Sequence, residues 1–203
     1  MIEVNVKKRI QDFSLAVNFS DEGIICITGK NGSGKSTLLN IIAGVIKPDY
    51  GYIKLNKTDI TNLPIRERNS VLVTPDSYIP TFSVKKHLKW GASLRRKKIN
   101  EEEIREIIKL LELTDYEDKK VGSLSLGNKE KVALATAILA KPELILVDEA
   151  FGNINQKEHF VSNYKELCKK YNIDLVYATQ DVELVKLADH HYIMSNGSLS
   201  KVF

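Results

Sequence analysis

The hydrophobic positions near the N-terminus of this 203-residue chain alternate with polar or small ones. Val4 and Val6, and then the run from Phe13 to Phe19, place a large apolar residue at every second position. Successive side chains of a β-strand point to opposite faces, so this pattern predicts strands with one buried face. The next run, from Ile24 to Thr28, is apolar almost throughout and predicts a strand that is buried on both faces.

The period becomes helical between Thr81 and about Gly122. Asn100 is a predicted helix cap because three glutamates follow it, and an apolar stripe comes next. The stripe consists of Ile104, Ile107, Ile108, Leu111 and Leu113. We therefore expect residues 81–122 to form a helical subdomain.

The chain returns to core-like patterns from Ser123 onward. A helix is followed by the strand 144–149, a helix near 156–171, the strand 174–178 and a hairpin at Asn196-Gly197. This alternation of strands and helices predicts an α/β fold with a mostly parallel sheet. We expect one domain over 1–203, with 1–80 and 123–203 forming its core.

A glycine-rich segment lies between the buried strand and the predicted helix 36–43. Gly29 to Thr37 reads GKNGSGKST and fits the phosphate-binding pattern G-x-x-x-x-G-K-[ST]. In such a loop, consecutive backbone N–H groups and the helix N-terminus point at phosphate oxygens. We expect Lys35 to reach the β- and γ-phosphates and the Ser36 hydroxyl to bind Mg²⁺. The remaining predicted phosphate contacts are Asn31, Gly32, Ser33, Gly34 and Thr37. A glycine-rich turn that binds nothing is the alternative, and the flanking strand and helix disfavour it.

Two carboxylates, Asp148 and Glu149, end the apolar strand that begins at Leu144. Ligands of doubly wound sheets bind at the carboxyl ends of the strands, so this pair is expected beside the phosphates. Asp148 would then bind Mg²⁺, and Glu149 would polarise the attacking water. The alternative is a strand that simply ends in solvent. The two motifs together predict hydrolysis of a nucleoside triphosphate.

Several segments resemble the ATPases of ABC transporters from one end of the chain to the other. Leu124-Ser125-Leu126-Gly127-Asn128 is similar to the signature LSGGQ of that family, and it stands just upstream of the acidic strand as in the family. Asp76 and Gln180 occupy the places of the Q-loop glutamine and the switch histidine. The N-terminal stretch is most similar to compact importer-type subunits.

The resemblance implies a P-loop NTPase (RecA-like) core with an N-terminal antiparallel β subdomain and an inserted helical one. It implies ATP and Mg²⁺ as ligands, with Ser36, Asp148 and Asp76 around the metal. Each ATP would lie between the P-loop of one chain and Ser125 and Gly127 of a second. Transmembrane permease subunits would place the chain on the cytoplasmic face of the membrane, with Tyr78, Ile79, Phe82 and Trp90 as apolar contact candidates or plain packing residues. Phe13 would either stack on the adenine or belong to the core.

The departures from the family pattern fall at functional positions. Asp76 adds negative charge beside the γ-phosphate, Leu126 adds bulk in the signature, and Asn155 replaces the usual D-loop aspartate. Gln180 donates a hydrogen bond but cannot become cationic, so it should stabilise transition-state charge less well than histidine. His190 and His191 begin a later strand and are not expected to substitute for it.

These departures leave three interpretations open. The chain is a working but slow transport ATPase, a weakly or non-hydrolysing subunit that pairs with a regular one, or an ABC ATPase that acts on a macromolecule. Glu149 argues against lost hydrolysis, because it is the residue most directly required for it. The compact length argues against the third class, whose members usually carry inserted arms or paired cassettes. We therefore favour the transport ATPase.

Composition narrows the partners further. A net charge of +4 is mild, and the one basic cluster, Arg95 to Lys98, is followed by three glutamates. A solvated turn is expected there, and no nucleic-acid binding. Cys26 and Cys168 have no metal-ligand spacing. The sequence contains no apolar run of about 20 residues, so a membrane role is expected to require a partner.

Overall fold

The computed structural model describes residues 1–94 and 101–203. The cluster Arg95 to Lys98 and the predicted cap Asn100 lie outside the described residues. The strands are β1 Ile2–Ile10, β2 Phe13–Asp21, β3 Ile24–Thr28, β4 Tyr50–Leu55, β5 Thr58–Asp59, β6 Ser70–Val73, β7 Leu144–Asp148, β8 Asp174–Thr179, β9 His190–Ser195 and β10 Ser198–Lys201. The α-helices are α1 Lys35–Ala43, α2 Val84–Ser93, α3 Glu101–Leu110, α4 Leu126–Leu139 and α5 Lys157–Lys170.

The strands form one sheet in the order β5-β4-β1-β2-β10-β9-β3-β8-β7-β6. The five strands from β9 to β6 run parallel, whereas β4, β1 and β2 form an antiparallel ladder. The two parts join at one residue pair, Ser198 with Ala16, where β10 lies beside β2. The predicted α/β fold with a mostly parallel core and N-terminal antiparallel strands is confirmed.

Two hydrophobic cores cover the parallel strands, one on each face. Alternate residues of β3 belong to different cores: Ile24 and Cys26 face the side of α2 to α5, while Ile25 and Ile27 face the side of α1. All five residues of β3 are buried, as their apolar run predicted. This burial fixes the position of the loop that follows Thr28.

The carboxyl ends of β3, β8, β7 and β6 lie at the same edge of the sheet, because these neighbouring strands are parallel. The loop before α1, the pair Asp148 and Glu149, Gln180 and Asp76 all follow these ends. No helix among the described residues is long and apolar enough to span a bilayer.

Candidate functional site

A cleft of about 320 Å³ opens where β3 leads into α1. Its lining consists of Phe13, the seven residues 31–37 and Glu149. Every predicted phosphate-loop residue from Asn31 to Thr37 therefore faces one cleft. The first backbone N–H groups of α1 have no partner within the helix, which makes this end a favourable place for an anion.

The ring of Phe13 packs against the loop at Gly34. Gly34 has φ +112°, and a Cβ added there would lie 2.8 Å from Phe13 Cζ. Only glycine combines this backbone conformation with so close an aromatic neighbour. Phe13 is partly buried and forms an apolar edge of the cleft.

Lys35 is buried at the base of the loop, with only 5% of its surface exposed. Its ammonium donates to the carbonyl oxygens of Gly29 at 2.8 Å and Lys30 at 3.3 Å. The same nitrogen lies 3.5 Å from Glu149 Oε1. The predicted phosphate ligand and the predicted base are thus neighbours.

Ser36 and Asp148 join α1 to β7. The Ser36 hydroxyl donates to Asp148 Oδ1 at 3.0 Å. Hydroxyl and carboxylate oxygens are ligands that Mg²⁺ prefers, so this pair fits a magnesium site. Asp76 follows β6, the neighbour of β7, and is exposed in the loop there rather than lining the described cleft.

Glu149 adopts a backbone conformation that is rare for a side-chain-bearing residue, with φ +58°. The predicted strand through Glu149 was one residue too long, since β7 ends at Asp148. The Glu149 N–H donates to the carbonyl of Ala178 at 3.1 Å while the chain turns away from the strand. Strain of this kind persists only where surrounding structure enforces it, and it is concentrated at functional sites.

Gln180 lies at the rim of the cleft, directly after β8. Its side-chain amide donates to Asn31 Oδ1 at 2.9 Å. The next residue, Asp181, accepts from Glu183 N–H and pairs with Lys157 at 2.5 Å, and the lysine lowers the pKa of the aspartate. Gln180 therefore lies between the end of β8 and a fixed turn, and it contacts the phosphate loop.

His190 and His191 begin β9, as predicted, and their side chains contact residues outside the cleft lining. The Nε2 atom of His191 lies 2.8 Å from Thr28 Oγ1, and burial lowers the pKa of this imidazole. His190 lies 3.5 Å from Asp21. Neither lines the described cleft.

The signature residues Ser125 and Gly127 lie outside the cleft lining, at the N-terminus of α4. Ser125 caps the helix by accepting from Asn128 N–H at 3.3 Å. Leu126 has a helical backbone and a side chain that is 61% exposed, so the leucine causes no strain in the single chain. Buried Glu130 of the same helix accepts two hydrogen bonds from Asn153, which links α4 to the segment after Glu149.

An apolar groove of about 470 Å³ lies between β6, α2 and α4. Tyr78, Ile79 and Trp90 line it, whereas Phe82 is found beside Trp90, with ring centroids 6.3 Å apart. His87 lies at the groove and joins α2 to α4 through Thr136, 2.8 Å away.

Sequence reasoning missed the contacts that join the loop to distant segments. The Asn196-Gly197 hairpin was predicted, but not that Gly197 N–H donates to the Ser33 carbonyl at 2.9 Å. The bond between Gln180 and Asn31 was also missed. The partners are more than 140 residues apart, and no local sequence pattern identifies such pairs.

Comparison with known proteins gives a consistent result. The family model described as "ABC transporter" matches residues 12–152. A molybdate/tungstate import ATP-binding protein from Archaeoglobus fulgidus is 32% identical, over 98% of this chain and 85% of its own length. A molybdenum import ATP-binding protein from Haemophilus influenzae is also 32% identical, over 97% of this chain.

The chain spans only 58% of the length of the Haemophilus protein. Among solved structures, a dimeric bacterial ABC transporter cassette superposes with a TM-score of 0.83 at 24% identity. That match covers 100% of this chain and 99% of the other. At this identity the superposition shows that the two chains share a fold.

Proposed function

Because this chain belongs to the ABC transporter family, we propose that it is the ATP-binding and ATP-hydrolysing subunit of a transporter. The observation that carries the proposal is the cleft in which residues 31–37 meet Glu149, with Lys35 and Glu149 3.5 Å apart. A phosphate-binding loop, a buried ammonium and a carboxylate beside it form a set suited to phosphoryl transfer to water.

The residues divide the chemistry among them. The N–H groups of the loop and Lys35 bind the phosphates, and Lys35 exchanges its present carbonyl contacts for phosphate oxygens. Ser36 and Asp148 would hold Mg²⁺, with Asp76 as a further ligand through water, and such a metal would neutralise charge on the β- and γ-phosphates. Glu149 orients a water molecule and accepts its proton, while Gln180 donates to the γ-phosphate from the rim. Phe13 supports the base.

Turnover is expected to be slow for two reasons. The amide of Gln180 carries no positive charge with which to stabilise the transition state. Asp76 adds a negative charge near the phosphates, which weakens ATP binding unless the metal screens it.

A second chain of the same family completes the site. Ser125 and Gly127 stand outside the described cleft, which supports a role on the nucleotide of a partner chain. The similar solved cassette is named as a dimer. The nucleotide would lie between two chains in the same way in a homodimer and in a heterodimer.

The apolar groove lined by Tyr78, Ile79 and Trp90 receives a helix of a transmembrane permease subunit. Trp90, Ile65 and Leu94 line it and remain 38%, 54% and 60% exposed in the single chain. This contact places the chain on the cytoplasmic face of the membrane. The curated relatives are named as import proteins, which supports uptake as the direction of transport.

The decisive experiment is Mg-ATP turnover by the purified chain. We expect turnover above that of Glu149→Gln, which keeps the shape of the side chain and removes its basicity. Lys35→Ala should abolish ATP binding measured by calorimetry. Arg66→Ala replaces an exposed arginine that is remote from the phosphate loop in sequence, and it is the control for effects of substitution and purification that do not involve the site.

Binding without turnover in the wild-type chain would show that hydrolysis needs a partner or has been lost. The absence of ATP binding would contradict the whole proposal.

A further inference from the structure

The turn between β9 and β10 contacts both the phosphate loop and β2. Asn196 and Gly197 both have positive φ, 46° and 76°, as in the tight turns favoured by Asn-Gly. The Gly197 N–H donates to the Ser33 carbonyl at 2.9 Å, and its own carbonyl accepts from Ala16 N–H at 2.8 Å. One peptide unit on each side of Gly197 thus connects the phosphate loop with β2.

The β2 side of this connection leads directly to Phe13, the first residue of that strand. β10 meets β2 through a single residue pair, Ser198 with Ala16, which immediately follows the turn. The spacing between Phe13 and the loop therefore depends on the turn as well as on the direct packing of Phe13 against Gly34.

The three atoms nearest to a Cβ added at Gly197 all belong to β2. A Cβ added to Gly197 would overlap the carbonyl oxygen of Ser14 and approach Leu15 Cα at 3.1 Å. No atom of Ser33 is among its three nearest neighbours. A side chain here would therefore first displace Ser14 and Leu15, which directly follow Phe13 in β2.

We propose that Gly197 is a positioning residue that sets the spacing between Phe13 and the phosphate loop, so that the cleft favours a triphosphate carrying a base over bare triphosphate. This inference rests on the proposed function, since it requires that the loop binds phosphates and that Phe13 supports the base.

The first test compares Gly197→Ala with a matched control, Gly51→Ala. Gly51 also has positive φ, and its added Cβ would overlap the carbonyl oxygen of Asn5, but it lies in β4 on the far side of β1. Calorimetry with Mg-ATP and with magnesium tripolyphosphate measures each dissociation constant. For Gly197→Ala we expect ATP affinity to fall about tenfold, the effect of losing one stacking contact, and tripolyphosphate affinity to change less than about twofold.

Gly51→Ala should leave the ratio of the two affinities unchanged. An equal loss for both ligands in Gly197→Ala would overturn the proposal, because it would mean that the turn supports only the phosphate loop. In a Phe13→Ala background, Gly197→Ala should cause no further loss of ATP affinity. An undiminished further loss would also overturn it.

Hydrogen exchange on the unaltered chain provides a measurement that needs no variant. ATP should slow exchange of the Ala16 and Gly197 amides, while tripolyphosphate should protect Gly197 and leave Ala16 unchanged. Equal protection by both ligands would count against the proposal. If the wild-type chain binds neither ligand, the proposed function itself fails, which is a different result from binding with an unaltered ratio.

Discussion

At the scale of single residues, the candidate catalytic side chains occur in pairs from distant parts of the chain. Lys35 meets Glu149, Ser36 meets Asp148, and Asn31 meets Gln180. In each pair one member lies in or directly after the phosphate loop, and the other lies at or just after the end of β7 or β8. These pairs connect the part of the site that binds phosphate to the part expected to activate water.

Gln180→His should raise the turnover of the purified chain. A histidine at the end of β8 can become cationic and stabilise charge on the γ-phosphate, whereas the amide of glutamine only donates a hydrogen bond. We expect kcat to increase by about tenfold, a fraction of the effect typical of one transition-state donor. The measurement is steady-state Mg-ATP hydrolysis, with Gln180→Asn as the control that keeps an amide. A correctly folded Gln180→His with an equal or lower rate would contradict the explanation of slow turnover.

The sequence predicts which residues belong to the site, but it does not predict which of them contact each other. The pattern Gly29 to Thr37 and the pair at the end of the apolar strand reveal the loop and Asp148 and Glu149, because their chemistry depends on local spacing. The turn of Glu149 out of the strand was not predicted, since it involves a hydrogen bond from the Glu149 N–H to the carbonyl of Ala178 in another strand.

At the scale of elements, α1 is stabilised at its C-terminal end by one buried arginine. Arg68 is 3% exposed and donates to the carbonyl oxygens of Ile41 and Ile42 at 3.2 and 3.0 Å. It also donates to Leu63 and Thr61. The last carbonyls of a helix lack the usual partner within it, and the guanidinium supplies hydrogen-bond donors to two of them.

Arg68→Ala should lower the free energy of unfolding by about 3 kcal/mol, because it removes four hydrogen bonds from a buried guanidinium to backbone carbonyl oxygens. Urea denaturation followed by circular dichroism measures the change. Arg66→Ala is the matched control: its side chain is 85% exposed and pairs with neighbouring Glu67, so we expect a change within about 0.5 kcal/mol. Equal effects of the two substitutions would show that the buried network contributes little.

Nothing in the sequence distinguishes Arg68 from Arg66. Both lie in the same polar stretch after Pro64, and only the packing of that stretch on α1 buries one of them. The helix itself was predictable from its apolar spacing, while the residue that caps it was not.

At the scale of the whole molecule, helices cover the two faces of the parallel strands unequally, with α1 on one side and α2 to α5 on the other. His87 joins α2 to α4: one ring nitrogen accepts from Ile79 N–H at 3.0 Å, and the other faces Thr136. Burial lowers the pKa of His87 below its usual value. The folded chain thus favours the neutral imidazole.

The chain should lose stability as the pH falls from 7.5 to 5.5. The unfolded chain takes up a proton at His87 near its ordinary pKa of about 6.5, while the folded chain resists protonation, so unfolding becomes easier below that pH. Burial lowers the pKa of His191 as well, which gives a dependence of the same sign. The measurement is the urea midpoint at both pH values.

His87→Gln removes one of the two groups and should flatten the dependence without abolishing it. If the urea concentration at the wild-type unfolding midpoint is not lower at pH 5.5 than at pH 7.5, the role of these histidines is contradicted.

The order of strands across the sheet was beyond reasoning from residues alone. Alternation and apolar runs predict which segments are strands, but not that β3 lies between β8 and β9. That placement depends on the packing of both faces, and the resemblance to a known family was needed to anticipate the fold.

The position of β3 in the sheet also determines when the site assembles during synthesis. Both neighbours of β3 belong to the segment from Asp174 onward, about 150 residues after the phosphate loop. At a synthesis rate of about 5–20 residues per second, the loop leaves the ribosome roughly 10–30 s before the strands that hold it. The antiparallel ladder of β1, β2 and β4 is complete by Leu55 and can pair early. A nascent chain would therefore acquire its capacity to bind ATP only after the segment from Asp174 onward has been synthesised.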